Sequence, residues 1–345
     1  MKTVGVIFGG VSTEHNVSIV SGTSVASKID TKKYNVKQIY IAKDGTWYEH
    51  KESVSKTKVG DTLKNLQKIE NVMEYLKTLD VAFPVLHGKN GEDGTIQGLF
   101  EMVGVPYVGC KVLASAIGMD KAYTKIIFAK AGIPQANCVY TRKFNDKYIY
   151  IGKNFEETIY SLEDICDKIM EELRFPVFVK PSNSGSSVGI SKAKKKEELS
   201  KALEEAAKFD NKIVIEQGIN GRELECAVLG NEEVSASGVG EILAADEFYS
   251  FDAKYHNEKS ETIIPADIPE EIKKKIQYLA IKAFKAIDGK GLSRVDFFLE
   301  NETNQIYINE INTLPGFTSI SMYSKLWEHE GKTYEKLIEE LIDLA

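Results

Sequence analysis

Near-continuous apolar runs in the first third of the chain constrain its fold most strongly. TVGVIF at 3–8 ends at Gly9-Gly10, and runs at 34–42 and 80–87 have the same character. Such runs are typical of strands that are buried on both faces of a parallel sheet. Helical patterns at about 16–29 and after 94 alternate with them. This order of elements predicts an α/β domain over residues 1–120, with helices on both faces of a parallel sheet.

A length of 345 residues predicts more than one domain, and two further units are expected at 121–220 and 221–345. The segment 141–160 is rich in Tyr and has no clear period, so it is interpreted as an exposed insertion. The polar, aromatic-rich loop at 245–260 has the length of a lid over a ligand, with disorder as the alternative. Lys254 and Tyr255 near its middle are candidates to close on that ligand.

Composition excludes several classes of protein. A formal net charge of −7 argues against a general nucleic-acid binder, and no apolar run is long enough to span a bilayer. The N-terminal stretch ends at Gly9-Gly10 as a first strand would, without the pattern of a secretory signal, so a cytoplasmic protein is expected. The four cysteines are far apart and form no CxxC pair, which predicts reduced, structural thiols.

Two polar pairs interrupt the apolar strands near the C-terminus. Arg294 and Asp296 are two residues apart, as are Glu310 and Asn312, so each pair shares one face of its strand. A three-residue or five-residue turn near 301–304 puts both pairs on one face, and the three-residue turn sets Asp296 opposite Glu310 and Arg294 opposite Asn312. Opposed carboxylates repel, so a cation such as Mg²⁺ is expected between them. The alternative is a solvent-exposed strand face that carries an ion pair.

Three loops that follow apolar strands are candidates for ligand binding. The loop 180–192 begins with Lys180 and is rich in Ser and Gly, which allows backbone N–H groups to approach a phosphate; a flexible turn is the alternative. Glu14 and His87 follow two strands of the first domain, where ligands of open α/β sheets bind. For each of these two, a helix cap or a turn is the competing explanation.

With these segments in view, the chain resembles the D-alanine–D-alanine ligases of the ATP-grasp superfamily. The resemblance covers nearly the whole length through eight segments in order: STEHNVS, HGKNGEDGT, MDKAYTK, KPSNSGSSVG, EQGINGRELECAVLG, FDAKY, SRVDFF and NEINTLPGFTSISM. It implies an N-terminal parallel-sheet domain followed by a two-lobed ATP-grasp fold, which is α/β overall and α+β in the ATP-grasp part. ATP would be held between the second and third domains.

The resemblance also implies the residues that hold ATP and metal. Two Mg²⁺ ions, with Mn²⁺ as the substitute, would be bound by Asp296, Glu310 and Asn312. Adenine would be recognised by Glu216 and the backbone of Ile219, and the ribose by Glu223. The phosphates would meet Lys121, Lys180, Lys254, Ser186 and Ser187.

The substrate residues follow from the same resemblance. Glu14 would bind the amino group of a first D-alanine, in a site that His87 lines. Arg294 and the Gly316 amide would stabilise an oxyanion, and Ser321 would bind the carboxylate of the second D-alanine. Tyr255 would link through Ser186 to Glu14. Met322 is a candidate for choosing between acceptors.

The implied reaction is ATP-dependent formation of D-alanyl-D-alanine for peptidoglycan, through a D-alanyl phosphate, by a homodimer. The implied partners are two D-alanine molecules and ATP, with no nucleic acid and no membrane. Ligases that join D-alanine to D-lactate or D-serine are the nearest alternatives. A non-catalytic protein with two lobes that close on a small ligand is the distant one.

Overall fold

A computed structural model describes residues 1–51, 63–185, 188–243, 261–318 and 320–345. These residues form three sheets with helices packed around them. The predictions for Ser186, Ser187, Lys254, Tyr255 and the loop 245–260 lie outside the described residues. No helix within the described ranges is long and apolar enough to cross a membrane.

The first sheet is built on three parallel strands. Its elements are β1 (Lys2–Gly9), α1 (His15–Ala26), β2 (Tyr34–Ile41), β3 (Trp47–His50), β4 (Leu66–Lys68), α2 (Val72–Leu76), β5 (Val81–Pro84) and α3 (Thr95–Val103). The strand order is β4-β3-β2-β1-β5, and β1 runs parallel to both β2 and β5. The predicted parallel sheet is therefore confirmed for these three strands. The antiparallel strands β3 and β4, of which β4 forms the edge of the sheet, escaped prediction because they are short and carry no apolar run.

The second sheet has six strands in the order β10-β9-β11-β6-β7-β8. Its elements are α4 (Val112–Met119), α5 (Lys121–Lys130), β6 (Cys138–Phe144), β7 (Lys147–Ile151), β8 (Glu157–Tyr160), α6 (Leu162–Glu172), β9 (Val177–Pro181), β10 (Ser191–Ala193), α7 (Lys196–Ala206) and β11 (Lys212–Gln217).

The interpretation of 141–160 as an exposed insertion is wrong. The segment supplies most of β6 and all of β7 and β8, which extend this sheet to its edge. Tyr148 and Tyr150 are buried in the core between the sheet and the helices, two residues apart on one face of β7. Tyr and Ile alternate along this strand in the sequence. The hydroxyl group of Tyr makes the residue look polar, so the pattern did not indicate that the aromatic rings are buried.

The third sheet is antiparallel throughout, in the order β14-β13-β12-β15-β16. Its elements are β12 (Gly221–Gly230), β13 (Val234–Leu243), β14 (Glu261–Ile263), α8 (Glu270–Ala286), β15 (Gly291–Glu300), β16 (Ile306–Asn312), α9 (Met322–His329) and α10 (Tyr334–Asp343). One face of the sheet packs on the apolar stripe of α8, in a core that contains Val295, Phe297 and Ile308. The other face packs in part on α9, through residues such as Ala227 and Leu229, and carries the polar residues of the site beside that contact.

The ends of the chain share a core. Residues of β1 such as Val4 and Phe8 pack in one hydrophobic cluster with Leu337 and Leu341 of α10. The boundaries 1–120, 121–220 and 221–345 stay predictions, since this core joins the first segment to the last. Cys110, Cys138, Cys166 and Cys226 are all free thiols, as expected.

Candidate active site

The hairpin of β15 and β16 carries the polar face that the sequence predicts. Asp296 pairs with Glu310, and Arg294 pairs with Asn312. Directly paired residues of an antiparallel sheet point to the same side, so these four side chains share one face. The predicted pairing is confirmed.

The reason for this pairing differs from the expected three-residue turn. Glu300 and Gln305 are still hydrogen-bonded, so the turn 301–304 has four residues, and the strands near it are one residue out of the predicted register. A β-bulge between Asp296 and Phe297 corrects this, because Asn309 is an extra residue on β16. The bulge keeps Ile308 and Ile311 on the core face while Glu310 reaches the polar face.

Both carboxylate oxygens of Asp296 accept hydrogen bonds from neighbours on this face. Arg294 donates from Nε to Asp296 Oδ1 at 2.7 Å and from Nη2 to Asp296 Oδ2 at 2.7 Å, which is a bidentate pair. Asn312 Nδ2 donates to the same Oδ2 at 3.0 Å. Burial acts to lower the pKa of Arg294, but attraction from Asp296 and Glu225 outweighs it and raises the pKa well above its ordinary value.

Glu225 belongs to this face and was not found from the sequence. It lies on β12 and pairs with Asp296 across the β12–β15 ladder. Its Oε2 is 3.0 Å from Arg294 Nε, and its side chain is almost fully buried. Glu225, Asp296 and Glu310 therefore form a row of carboxylates across three adjacent strands. The sequence does show that Glu225 stands two residues after Glu223 and so shares a face of its strand. Only the pairing of the strands in the structure shows that β12 lies next to β15.

A second buried ion cluster lies on the central sheet. Glu216 Oε2 on β11 is 3.1 Å from Lys180 Nζ on β9 and 3.2 Å from Lys125 Nζ on α5. Burial acts to raise the pKa of Glu216, but attraction from Lys125 and Lys180 outweighs it and lowers the pKa below its ordinary value. Lys125 was not predicted from the sequence, because nothing there distinguishes it from the other lysines of α5.

The central sheet contacts the hairpin through the predicted residue Lys180. Lys180 Nζ donates to Oδ1 of the bulge residue Asn309 at 3.4 Å. Lys121 begins α5, whose N-terminus is capped by the Asp120 carboxylate, and its Nζ donates to the Ser184 carbonyl at 2.6 Å. Of the three predicted phosphate-binding lysines, Lys180 therefore begins the segment 180–185 and Lys121 contacts it, while Lys254 lies outside the described residues. Ile219 is in the short connection from β11 to β12, and Glu223 follows it on β12.

Glu14 and His87 come together from separate loops of the first domain. Glu14 is the N-cap residue of α1, where the helix dipole favours a carboxylate. A Cβ atom on Gly88 would lie 2.6 Å from Glu14 Oε2, and one on Gly185 would lie 3.2 Å from the same atom. The loop that precedes Ser186 therefore passes against Glu14. His87 is buried, which lowers the pKa of its ring, and it forms a hydrogen bond with the backbone of Leu314.

Glu92 is a third acidic group at this junction that sequence reasoning missed. Its Oε2 accepts the backbone N–H of Gly88 at 2.6 Å. Burial, with repulsion from Glu14 and Glu310, raises the pKa of Glu92 to about 8, and attraction from Lys121 opposes the rise. Groups from all three sheets therefore act on one carboxyl. The motif HGKNGEDG contained the residue, but its turn composition favoured a structural explanation.

The segment after β16 supplies the last group of predicted residues. Ser321 Oγ accepts the backbone N–H of Thr318 at 3.0 Å, and a Cβ atom on Gly316 would lie 3.3 Å from that Oγ. Ser321 is also the N-cap residue of α9. Met322 is instead buried in the hydrophobic core, where its sulfur packs against Gly240. The structure thus gives Met322 a core position next to Ser321, and its role in the choice of acceptor stays a prediction.

Comparisons with known proteins identify the family. The family model described as D-ala D-ala ligase N-terminus matches residues 3–110, and the one described as D-ala D-ala ligase C-terminus matches residues 127–343. The chain belongs to the D-Ala–D-Ala ligase family. It is 52% identical over 371 residues to the D-alanine–D-alanine ligase of Acetivibrio thermocellus, covering 100% of this chain and 96% of that relative.

Solved structures of D-Ala ligases have the same fold as this chain. The VanG D-Ala:D-Ser ligase from Enterococcus faecalis is 37% identical with a TM-score of 0.85, and the match covers 99% of each chain. The D-alanine–D-alanine ligase from Coxiella burnetii is 33% identical with a TM-score of 0.81, over 99% of this chain and 93% of that one. The predicted ATP-grasp fold with its N-terminal parallel-sheet domain is confirmed.

The oxygen donors of this D-Ala ligase fit a divalent metal site. Asp296 and Glu310 are directly opposite, with the Asn312 amide beside them, and a hard cation takes such oxygen ligands. Within the described ranges, no three His, Cys, Asp or Glu side chains are arranged to hold a metal without other donors. Water and phosphate oxygens would therefore have to complete the coordination, as is usual for Mg²⁺.

Proposed function

We propose that this chain joins two D-alanine molecules into D-alanyl-D-alanine for peptidoglycan synthesis and converts ATP to ADP and phosphate. One observation carries the proposal: residues from all three sheets meet at a single place. Gly185 lies against Glu14, His87 contacts the backbone of Leu314, and Glu92 is acted on by Glu14, Glu310 and Lys121. A ligase needs this meeting, because one site must hold an amino acid, a triphosphate and an acceptor together.

The first step would be attack by the carboxylate of one D-alanine on the γ-phosphorus of ATP. The new O–P bond gives D-alanyl phosphate, and ADP leaves with the electrons of the broken P–O bond. Lys121 and Lys180 lower the repulsion between the two anions, and positioning supplies much of the remaining rate. Glu14 would hold the ammonium group of that D-alanine beside the loop 180–185. Glu216, Ile219 and Glu223 would hold the nucleoside.

The second step would be attack by the amine of the other D-alanine on the carbonyl carbon of D-alanyl phosphate. A tetrahedral oxyanion forms, then phosphate leaves and the amine loses a proton. Arg294 and the Gly316 N–H are proposed to stabilise the oxyanion, and one such donor is typically worth roughly 3–4 kcal/mol. Ser321 at the N-terminus of α9 suits the carboxylate of the acceptor, since that end of a helix attracts anions.

Asp296, Glu310 and Asn312 are proposed to hold two Mg²⁺ ions, or Mn²⁺ in their place. When bound, these ions would neutralise charge on the phosphate groups of ATP. Ser186, Ser187, Lys254 and Tyr255 are proposed to cover the triphosphate, and Tyr255 to reach Glu14 through Ser186. Gly185, the residue before Ser186, lies against Glu14, and this contact supports the last proposal.

A measurement of phosphate release tests this function. The protein is mixed with ATP, Mg²⁺ and D-alanine, and we expect phosphate release to depend on D-alanine and to be accompanied by the dipeptide. Release that is independent of D-alanine would argue for an ATPase, and ligand binding without release would argue for a non-catalytic two-lobed binding protein.

A second candidate acceptor is D-serine. The observation that favours it is the 37% identity and the TM-score of 0.85 to a D-Ala:D-Ser ligase. The relative with 52% identity is a D-alanine–D-alanine ligase, and for this reason D-alanine is preferred. Repeating the assay with D-alanine plus D-serine or D-lactate, and identifying the product by mass spectrometry, decides between the acceptors.

We also propose that the enzyme acts in the cytoplasm as a homodimer. Exposed apolar side chains on α3 and α4 support the dimer, since Met102 is 79% exposed and Leu113 is 59% exposed. Light scattering coupled to size-exclusion chromatography measures the mass. A monomer at micromolar concentration would overturn this part of the proposal and leave the reaction untouched.

A further inference from the structure

Arg294 and Asp296 have been assigned to two tasks that conflict in this structure. Both oxygens of Asp296 accept hydrogen bonds from the Arg294 guanidinium, and Oδ2 also accepts one from Asn312. A metal ion that binds Asp296 must take over at least one of these oxygens. The guanidinium must then turn away from Asp296, toward the place where an oxyanion would form.

Separating a buried guanidinium from its counter-ion is unfavourable, because it raises the free energy of the protein. Arg294 is only 17% exposed at its side chain, and Glu225 and Asp296 are still more buried. Breaking a buried ion pair by removing one partner is strongly destabilising, because the remaining charge is left uncompensated. Arg294 therefore needs a second acid if Asp296 is to be given to a metal.

Glu225 lies where a second acid could pair with Arg294. Its Oε2 is already 3.0 Å from Arg294 Nε, and Asp296, its neighbour on the next strand, accepts from Nε and Nη2 of the same guanidinium. Glu225 is on β12, which pairs with β15 along its whole length, so its backbone is fixed relative to Arg294. Glu310, the other carboxylate in the row, is itself one of the proposed metal ligands.

We propose that Glu225 is a positioning residue that retains Arg294 when Asp296 passes to the metal. Its carboxylate keeps the guanidinium paired and aimed at the oxyanion position, so metal binding and oxyanion stabilisation can occur together. The proposal rests on the proposed function, since it uses the metal role of Asp296 and the oxyanion role of Arg294. Glu225 touches neither substrate nor metal in this scheme.

The test is Glu225→Gln, which keeps the size of the side chain and removes its charge. Binding of Mn²⁺ alone is followed by the loss of the signal of the unbound ion in electron paramagnetic resonance. We expect the Kd for Mn²⁺ to rise by about 10-fold to 100-fold, the usual effect of losing a group that supports metal ligands. At saturating metal, kcat is also expected to fall, because the Arg294 guanidinium that Asp296 has released is no longer held toward the oxyanion position.

Glu241→Gln is the matched control. Glu241 is a buried acid of β13 in the same sheet, and it pairs with Arg222 at 2.7 and 2.5 Å. This change also removes a buried acid–arginine pair, so it should lower the melting temperature but leave the Kd for Mn²⁺ unchanged. Glu225→Asp should restore part of the lost metal affinity. The proposal would be overturned if Glu225→Gln and the unchanged protein bind Mn²⁺ with equal affinity. It would also be overturned if neither protein binds Mn²⁺.

The two proposals fail in different ways. If the unchanged protein shows no D-alanine-dependent phosphate release, the proposed reaction is wrong, whatever the metal titration gives. If the unchanged protein is active and Glu225→Gln matches it in both Mn²⁺ affinity and kcat, only the role of Glu225 is wrong. A lower melting temperature with unchanged Kd and kcat would show that Glu225 has only a structural role and would overturn the inference.

Discussion

Asp296 on β15 lies directly opposite Glu310 on β16, and one extra residue, Asn309, brings the two carboxylates together. Without the bulge, the four-residue turn would set Asp296 opposite Asn309 and turn Glu310 toward the core. Opposed carboxylates on a partly buried face are unfavourable unless a cation lies between them. In the structure the Arg294 guanidinium supplies a positive charge beside Asp296, and such a concentration of partly buried charge is typical of a functional site.

Changing Glu310 to Gln should nearly abolish turnover while the protein stays folded. The substitution removes one of the two opposed charges that are proposed to hold metal, and a loss of more than about 100-fold in kcat is expected, since even groups behind the ligands reach that value. The melting temperature should be equal or higher, because the repulsion is relieved. Glu302→Gln, in the exposed turn of the same hairpin, is the control. Full activity in Glu310→Gln would show that Glu310 is not a metal ligand.

Changing Ser321 to Ala should raise the KM for the second D-alanine and leave the KM for the first unchanged. A hydrogen bond to a charged group is worth about 1.5–3 kcal/mol, which corresponds to a tenfold or greater rise. Initial rates of phosphate release over a wide range of D-alanine concentration separate the two KM values. An unchanged second KM would move the acceptor's carboxylate to another place.

Changing Lys125 to Met should destabilise the protein and make it more sensitive to acid. The lowered pKa of Glu216 gives stability that is present above the unfolded pKa and is lost as pH falls through the folded pKa. Without Lys125, only Lys180 opposes the effect of burial, so the folded pKa rises and the acid transition begins at higher pH. The cost at neutral pH should be about 3 kcal/mol, near the lower bound for a broken buried pair.

Urea unfolding at several pH values measures both effects in Lys125→Met, with the exposed Lys201→Met of α7 as the control. The KM for ATP should also rise, because Lys180 would be retained by Glu216 and be less available to phosphate. An acid transition identical to that of the unchanged protein would contradict the proposed role of Lys125 as a counter-ion.

Changing Glu92 to Gln should remove a pH dependence of stability. The pKa of Glu92 is raised to about 8, so between the unfolded value and pH 8 the folded protein binds a proton that the unfolded chain has lost. Stability of the unchanged protein therefore falls as pH rises from 5 to 8, by at most about 1.4 kcal/mol per pH unit from this group. The variant should be flatter over that range.

Metal-free protein and thermal unfolding are suited to the Glu92 comparison, because a bound cation would lower the same pKa. Glu70→Gln, an exposed acid of the same domain, is the control and should keep the slope of the unchanged protein. Parallel stability curves for Glu92→Gln and the unchanged protein would show that Glu92 is ionised at neutral pH and would contradict this prediction.

Parts of the fold that depend on local pattern were predictable, and others were not. The strands β1, β2 and β5 follow from long apolar runs, and β15 with β16 from alternation. The strands β7 and β8 were missed, and β7 escaped because Tyr148 and Tyr150 bury aromatic rings at positions where aliphatic residues would indicate a core strand more clearly. The burial of Met322 was not predicted, since nothing in its neighbourhood distinguishes a core position at the start of a helix from one that faces a ligand.

The sequence by itself determined which residues share a strand face: Arg294 with Asp296, and Glu310 with Asn312, because side chains alternate along a strand. Only the tertiary structure decided the partners of each buried charge. Glu225 beside Arg294, Lys125 beside Glu216 and Glu92 near Glu14 are joined by contacts between segments far apart in the chain. A strand's pattern records which side is buried but not which strand lies next to it, and the energy of a buried charge depends on that neighbour.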